Sequence, residues 1–347
     1  MATIREKGPY QWQVQIRRKG WPTQNATLRT KKEAQAWARK TEHAMDQGLF
    51  LDQSEARETT LGDLLALYLE HVTANRPSEN SRVAEVCKLK RFMREEPALC
   101  SYAVANLKPE HFEDYRDRRK KQRLKNGRQI APSTVNKELM QLKRVIDYRM
   151  RRLGILINPV NTQDVKRLPV NDERDVRLSP EEKADLLEAC STMRNKLIRP
   201  FIEMGFETGA RRGNLLRLEW SDINFTSCTA LLRGIKNSRS PEKIINITIG
   251  LTPRAVEILQ ELPRTGTRVF PMTENAFRKG FNRAREKAGL EHFRFHDTRH
   301  ERVSSLFEAG WSMIQVMAQS GHRDPKSVKR YANISGEFLA GELAKLS

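Results

Sequence analysis

The stretch SGHRDPKSVKRYANIS, residues 320–335, decides how this chain is read. Tyr331 stands nine residues after His322, directly behind Lys329 and Arg330. Two readings compete. In one, the segment is an ordinary helix with Val328 and Tyr331 in a core and its cations in water. In the other, the phenol is held against a phosphate. Tyr331 taken alone fits the first reading better, so the choice rests on the residues upstream.

FRFHDTRHERVSSLFEAG (293–310) places His296 and Arg299 three apart, on one face of a helix that ends at Gly310, a natural C-cap. His292, His296 and His300 are spaced by four, which invites a zinc reading. Against it, FRF (293–295) alternates like a strand end and takes His292 off that face. No carboxylate-rich set accompanies the imidazoles, as a two-metal nuclease would need. Further upstream lies ETGARRGNLLRLEWSDI (207–223). Thr208-Gly209 breaks one helix, and Arg211 and Arg212 fall in the first turn of the next. The free N–H groups of that turn and a guanidinium fork suit an anion, while cations there oppose the helix dipole. Between these stretches, TALLRGIKNSRSPEKIINITI (229–249) reads as two or three short strands around a polar turn.

Composition points the same way. The 347 residues carry 63 Lys+Arg against 43 Asp+Glu, a net charge of +20, and the excess suggests a polyanionic partner such as DNA or RNA. A membrane partner is disfavoured, because no run of 18 or more apolar residues exists and MATIREKGPYQWQVQIRRKG holds no apolar signal segment. Cys87, Cys100, Cys190 and Cys228 are scattered and form no CxxC pair. They read as thiols in a reducing cytoplasm, packed as small core residues.

The length predicts two or three domains. Residues 1–50 hold ten Lys/Arg and four Asp/Glu, a net of +6. WQVQIRR (12–18) alternates as a half-buried strand, WPTQNATL (21–28) pairs back on it, and Thr30 caps a helix with Glu33 at the third position. A small basic sheet backed by a helix suits a DNA groove; a protein-docking domain with a solvated basic face is the alternative. GLFLDQSEARETT (48–60) reads as a linker. Helices follow at 61–73, 79–94, 109–124 and 133–153, the last capped by Ser133. RDRRKKQRLK (116–125) carries seven cations and one acid, and the next helix adds Lys143, Arg144, Arg149, Arg151 and Arg152. Two basic helices in one small domain favour phosphate contacts over a merely solvated face. NPVNTQDVKRLPVNDERDVR (158–177) reads as the inter-domain linker. Ser179, Pro180 and Glu182 then open a third, mostly helical segment, with later helices at 252–262, 273–288, 297–310, 312–320, 325–333 and 337–346.

Taken together, TGARRGNLL, FHDTRHERVSSLFEAG and SGHRDPKSVKRYANIS resemble the tyrosine recombinase (phage integrase) family. That pattern has an arginine after TG-x, a lysine in a β-hairpin, an H-x-x-R pair, a G-H, and a tyrosine nine residues beyond that histidine. Arg211, Lys236, His296, Arg299, His322 and Tyr331 match in order, with Lys243 a rival for the hairpin lysine and Arg212 for the first arginine. Two positions depart: Asn214 stands where an acid is usual, and Thr298 where Leu is usual. The resemblance is strong over about 175–335. It implies a multi-domain, mainly α fold. A small N-terminal β-sheet plus helix would form an arm-binding domain (1–55), a helical SAM-like bundle a core-binding domain (56–165), and a mostly helical domain with a small β-hairpin sheet the catalytic part (170–347).

The implied chemistry is strand cleavage that conserves bond energy in a 3′-phosphotyrosyl intermediate. A phenol, with an ordinary pKa of about 10, loses its proton more easily beside cations. Tyr331 is the implied nucleophile, Arg211 and Arg299 the clamp on the non-bridging oxygens. His322 adds a hydrogen bond to those oxygens, His296 acts as general base, and Lys236 protonates the departing 5′ oxygen. No metal or nucleotide cofactor is implied. The implied partners are double-stranded DNA with core and arm sites, three further copies of the chain in a tetramer, and accessory DNA-bending or directionality proteins. The implied setting is the bacterial cytoplasm, on the nucleoid. The helix at 335–347 is expected to pack on a neighbouring subunit. A DNA invertase of the same family and a catalytically silent DNA-binding regulator are the rivals; a type IB topoisomerase would not need the basic N-terminal domain.

Overall fold

The computed structural model describes residues 2–124, 126–170, 176–236, 244–329, 331 and 344. It divides into two compact units, Met1–Asn171 and Asp172–Ser347. The fold is mainly helical with two small antiparallel sheets, as expected.

The first unit begins with β1 (Ala2–Gly8), β2 (Gln11–Ile16) and β3 (Gln24–Leu28), paired in that order. The register Ile4–Val14–Ala26 turns apolar residues to one face. Alternation sends Thr3, Gln15 and Asn25, then Arg5, Gln13 and Thr27, to the other. Helix α1 (Lys31–Asp46) covers the apolar face, its Ala34, Ala38 and Met45 clustering with Val14 and Ile16. Thr30 and Glu33 form the expected capping box. The sequence reading missed β1, where the charged run Arg5-Glu6-Lys7 masks the alternation.

The rest of this unit is a helical body: α2 (Ser54–Glu58), α3 (Leu61–Tyr68), α4 (Glu79–Glu95), α5 (Pro97–Cys100), α6 (Pro109–Lys121) and α7 (Pro132–Arg149). Three expectations are corrected. Residues 48–60 are not a plain linker: α2 lies inside them, Ala56 is fully buried, and the Gln53 amide donates to the Gly154 carbonyl at 3.0 Å. Residues 158–170 are packed as well, with Val160 and Val165 in the helical core and the Asn136 side chain bonded to both the N–H and the carbonyl of Leu168. Ser133 does not cap α7; Ala131 is the N-cap and Pro132 the first helical residue, where its missing N–H costs nothing.

Many of the cations in this unit have internal partners. Glu138 of α7 is buried and accepts from Arg91 (2.6 Å), Arg119 (3.0 Å) and the Tyr115 hydroxyl (2.7 Å). Burial pushes its carboxyl up, but the hydrogen bonds from Arg119, Arg91 and Tyr115 outweigh that and hold it below its usual range. Arg118 pairs with Glu96, Arg116 with Asp117 and Lys143 with Asp147.

The second unit has α8 (Pro180–Ser191), capped by the Ser179–Glu182 box, then α9 (Ile198–Thr208) and the short α10 (Arg212–Leu215). Its sheet is β4 (Ile223–Asn224), β5 (Thr229–Lys236) and β6 (Ile244–Gly250), in that order. There follow α11 (Pro253–Glu261), α12 (Glu274–Lys287), α13 (Phe295–Glu308), α14 (Met313–Ser320) and α15 (Pro325–Lys329). Phe201, Phe277, Phe281, Phe293 and Phe295 meet in one core. Helix α13 crosses α9 at Gly205, where any Cβ would lie 2.8 Å from the Phe295 ring and 3.0 Å from the Thr298 hydroxyl. Glycine is therefore what allows the approach. Of the cysteines expected in cores, Cys190 is buried, whereas Cys87 and Cys228 are exposed. Of the expected helix at 337–346, only Ala344 is among the described residues.

Candidate active site

The close approach of α9 and α13 builds the site. Gly209 ends α9 with φ +63°, a conformation that strains residues with a Cβ, and its carbonyl turns inward. Arg299 of α13, 2% exposed, donates to that carbonyl at 2.8 Å and to the Ser320 carbonyl at 2.5 Å. Its guanidinium thus joins the break after α9 to the end of α14. The chain turns at Gly321, and His322 brings its ring within 3.1 Å of the same guanidinium. The Ser320 hydroxyl lies 2.7 Å from His322 Nδ1 and helps to fix the ring.

Arg211 is the N-cap residue of α10, in extended conformation, rather than inside its first turn. It stands within charge reach of both Arg299 and Tyr331. Arg212 instead pairs with Glu274 at the start of α12. Both Arg211 and Arg299 are pushed below the ordinary arginine value, chiefly by desolvation; Arg299 reaches about 9, with Arg211 as the next cause. Two neighbouring guanidiniums in a poorly hydrated site form a receptor for an anion. Arg211 and His296 also line a cleft of about 470 Å³ with Arg278, Arg285 and Arg294.

His322 and His296 are neutral at physiological pH. His322 is pushed down to about 3 by desolvation, then by Arg299 and Arg211. His296, open to solvent along one edge, is pushed down to about 4 by desolvation, then by His300, Arg299 and Arg211. His292 sits in the turn ahead of α13, so the three imidazoles spaced by four do not share a helical face.

Tyr331 lies in this same cluster. Its ring meets His300 edge-to-face at 4.9 Å, its hydroxyl stands 3.5 Å from His300 Nε2, and the His322 ring is 6.1 Å away. Five of the six sequence-derived residues, Arg211, His296, Arg299, His322 and Tyr331, thus converge. For Lys236 the structure describes the backbone: it closes β5 opposite Ile244. Its rival Lys243 lies outside the described residues. His300 entered the sequence reading only as one of three evenly spaced imidazoles. Its place on the same face as His296, four residues on, was visible; its contact with a residue 31 positions away was not.

The two departures from the family pattern have separate explanations. Asn214 is buried and its amide donates to the Arg233 carbonyl of β5 at 3.2 Å, so it ties the hairpin to α10. Thr298 is fully buried and its hydroxyl is satisfied by the Phe295 carbonyl at 2.8 Å.

Paired guanidiniums beside neutral imidazoles and a phenol form a site suited to an anion such as a phosphodiester. The phage integrase family model matches residues 176–337. A Haemophilus influenzae protein named as an integrase/recombinase is 28% identical over 339 residues, covering 93% of this chain and 85% of its own. The shufflon-specific DNA recombinase of Escherichia coli is 27% identical over 293 residues, with 83% and 72% covered. Among solved structures, the Tn1549 transposon integrase in complex with a circular intermediate DNA superposes with a TM-score of 0.67 at 18% identity, over 83% of this chain and 100% of that one. A lambda integrase tetramer bound to a Holliday junction gives 0.62 at 18% identity, with 95% and 94% covered. The family match covers residues 176–337, and the similarity to proteins named as integrases and recombinases runs over most of the chain. Among the described residues, no helix is long and apolar enough to cross a membrane.

Proposed function

We propose that this protein cuts and rejoins DNA through a 3′-phosphotyrosyl bond to Tyr331, in a tetramer on two synapsed sites, to integrate and excise a mobile element. The observation that carries the reading is the convergence of Tyr331 with Arg211, Arg299 and His322 of its own chain. Arg211 and Arg299 clamp the non-bridging oxygens and neutralise the charge that grows as phosphorus is attacked. His322, held at Nδ1 by the Ser320 hydroxyl and beside the Arg299 guanidinium, hydrogen-bonds the same oxygens. His296 belongs to the phosphate pocket beside Arg211. Lys236 protonates the departing 5′ oxygen. Because Tyr331 sits beside its own chain's guanidiniums, cleavage occurs in cis.

The sheet of the first unit supports a second DNA contact over residues 1–55. Its outward rows of Arg5, Gln13, Thr27, Gln15 and Asn25 offer the donors and acceptors that read base edges. The helical residues 56–165 serve as the core-site clamp. The tetramer reading is supported by the lambda integrase neighbour, which is a tetramer on a Holliday junction. Inversion is the second reading, favoured by the likeness to the shufflon-specific recombinase.

The test uses duplex DNA selected for binding from a random pool and nicked so that the cleaved fragment diffuses away. A covalent protein–DNA adduct is expected in the presence of a metal chelator. Tyr331→Phe abolishes it and leaves DNA binding intact. An adduct that survives in that variant, or one that needs a divalent ion, rules the mechanism out; binding with no adduct favours a silent regulator.

A further inference from the structure

We propose that His300 takes the proton from Tyr331 as the phenol attacks; the inference rests on Tyr331 being the nucleophile. The spacing pattern assigned the general base to His296. The geometry points one helical turn further along α13. His300 Nε2 stands 3.5 Å from the Tyr331 hydroxyl, and the two rings meet edge-to-face at 4.9 Å and 78°. On its other side His300 meets the His296 ring at 5.1 Å. His300 therefore lies between the phenol and His296, while His296 faces the two guanidiniums. A contact at the outer limit of hydrogen bonding is what an unliganded site shows when the bond tightens only with substrate bound.

The step balances without a cofactor. Tyr331 Oη forms a bond to phosphorus as its proton passes to His300 Nε2. The bond from phosphorus to the 5′ oxygen breaks, and that oxygen takes a proton from the acid assigned above to Lys236. In the rejoining step a 5′ hydroxyl bonds to phosphorus and gives its proton to Lys236, while the phosphotyrosine bond breaks and His300 returns its proton to Oη.

The test is single-turnover adduct formation on the nicked DNA described above, with DNA binding measured in parallel. His300→Ala is expected to slow the adduct about 100-fold, at the lower end of what a positioned base contributes, with binding unchanged. Added imidazole restores the rate in this variant and not in Tyr331→Phe. His300→Phe keeps the ring packed against Tyr331 but lacks the nitrogen, and is expected to be as slow as His300→Ala. A His300→Phe variant within two-fold of the parent rate overturns the proposal. So does a slow His300→Ala that imidazole does not relieve, since that leaves only a packing role. If Tyr331→Phe itself still forms the adduct, the nucleophile assignment fails, and that result is distinct from either outcome at His300.

Discussion

Arg299 and His322 share a constraint that sets a pH response. Arg299 is fixed by two main-chain carbonyls, so its charge is permanently present beside the His322 ring. In the free protein desolvation, and after it that charge, holds His322 at about 3 against an ordinary value near 6.5. The sign follows from linkage. Below pH 6.5 the unfolded chain takes up a proton that the folded chain refuses until about pH 3, so stability falls as the solution is acidified across that window. His296, held at about 4, acts in the same direction. The expected outcome is that free protein melts at a lower temperature at pH 5 than at pH 7, and that His322→Asn shows a smaller drop between the two. An equal drop in both proteins would show that His322 does not carry the effect.

At the scale of elements, one side chain connects the hairpin to the helix that leads to His322. The Gln319 amide of α14 accepts from the Gly250 N–H at 2.9 Å and donates to the Gly250 carbonyl at 2.8 Å, completing both main-chain bonds at the end of β6. Gly250 pairs with Thr229 at the root of the β5–β6 hairpin, whose far end carries Lys236. Gln319→Leu removes two hydrogen bonds and hands the exposed Gly250 groups to water, a loss of about 1 kcal/mol. The expected outcome is faster hydrogen exchange at the Gly250 amide, a lower melting temperature and slower adduct formation, with DNA binding retained. Unchanged exchange at Gly250 would mean that the clamp is dispensable. The same distinction between local and distant bonding explains what was legible in the sequence. Thr30 with Glu33 and Ser179 with Glu182 announced their helices, because a capping box closes within four residues. The six site residues were legible as a joint pattern of types and spacings. The Gln319–Gly250 clamp spans 69 positions and the His300–Tyr331 contact 31, and no local period encodes either. Residues 158–170 looked like a linker because Pro and polar residues break the helical period, yet Val160 and Val165 are buried through tertiary contacts alone.

At the scale of the whole molecule, the net charge of +20 overstates the cations available to DNA. In the basic run 116–125, Arg119 is buried against Glu138 of α7 and Arg118 reaches Glu96 at the end of α4, so those two charges tie α6 to its neighbours, while Arg116 pairs with the adjacent Asp117. Lys120 and Lys121, at the end of α6, are exposed. These two classes of cation separate in a salt titration, because each phosphate contact contributes a slope of about 0.9 in the log of affinity against the log of salt concentration. Replacing both Lys120 and Lys121 by Gln is expected to reduce the slope by about 1.8 if each meets a phosphate, while the melting temperature stays unchanged. Arg119→Gln should do the reverse. It leaves Glu138 buried with one partner fewer, which costs several kcal/mol of stability, and any folded fraction keeps the parent slope. A double Gln variant with the parent slope would mean that the run at 116–125 is structural throughout, and that the electrostatic attraction for DNA resides elsewhere, beginning with the basic cleft beside Arg211.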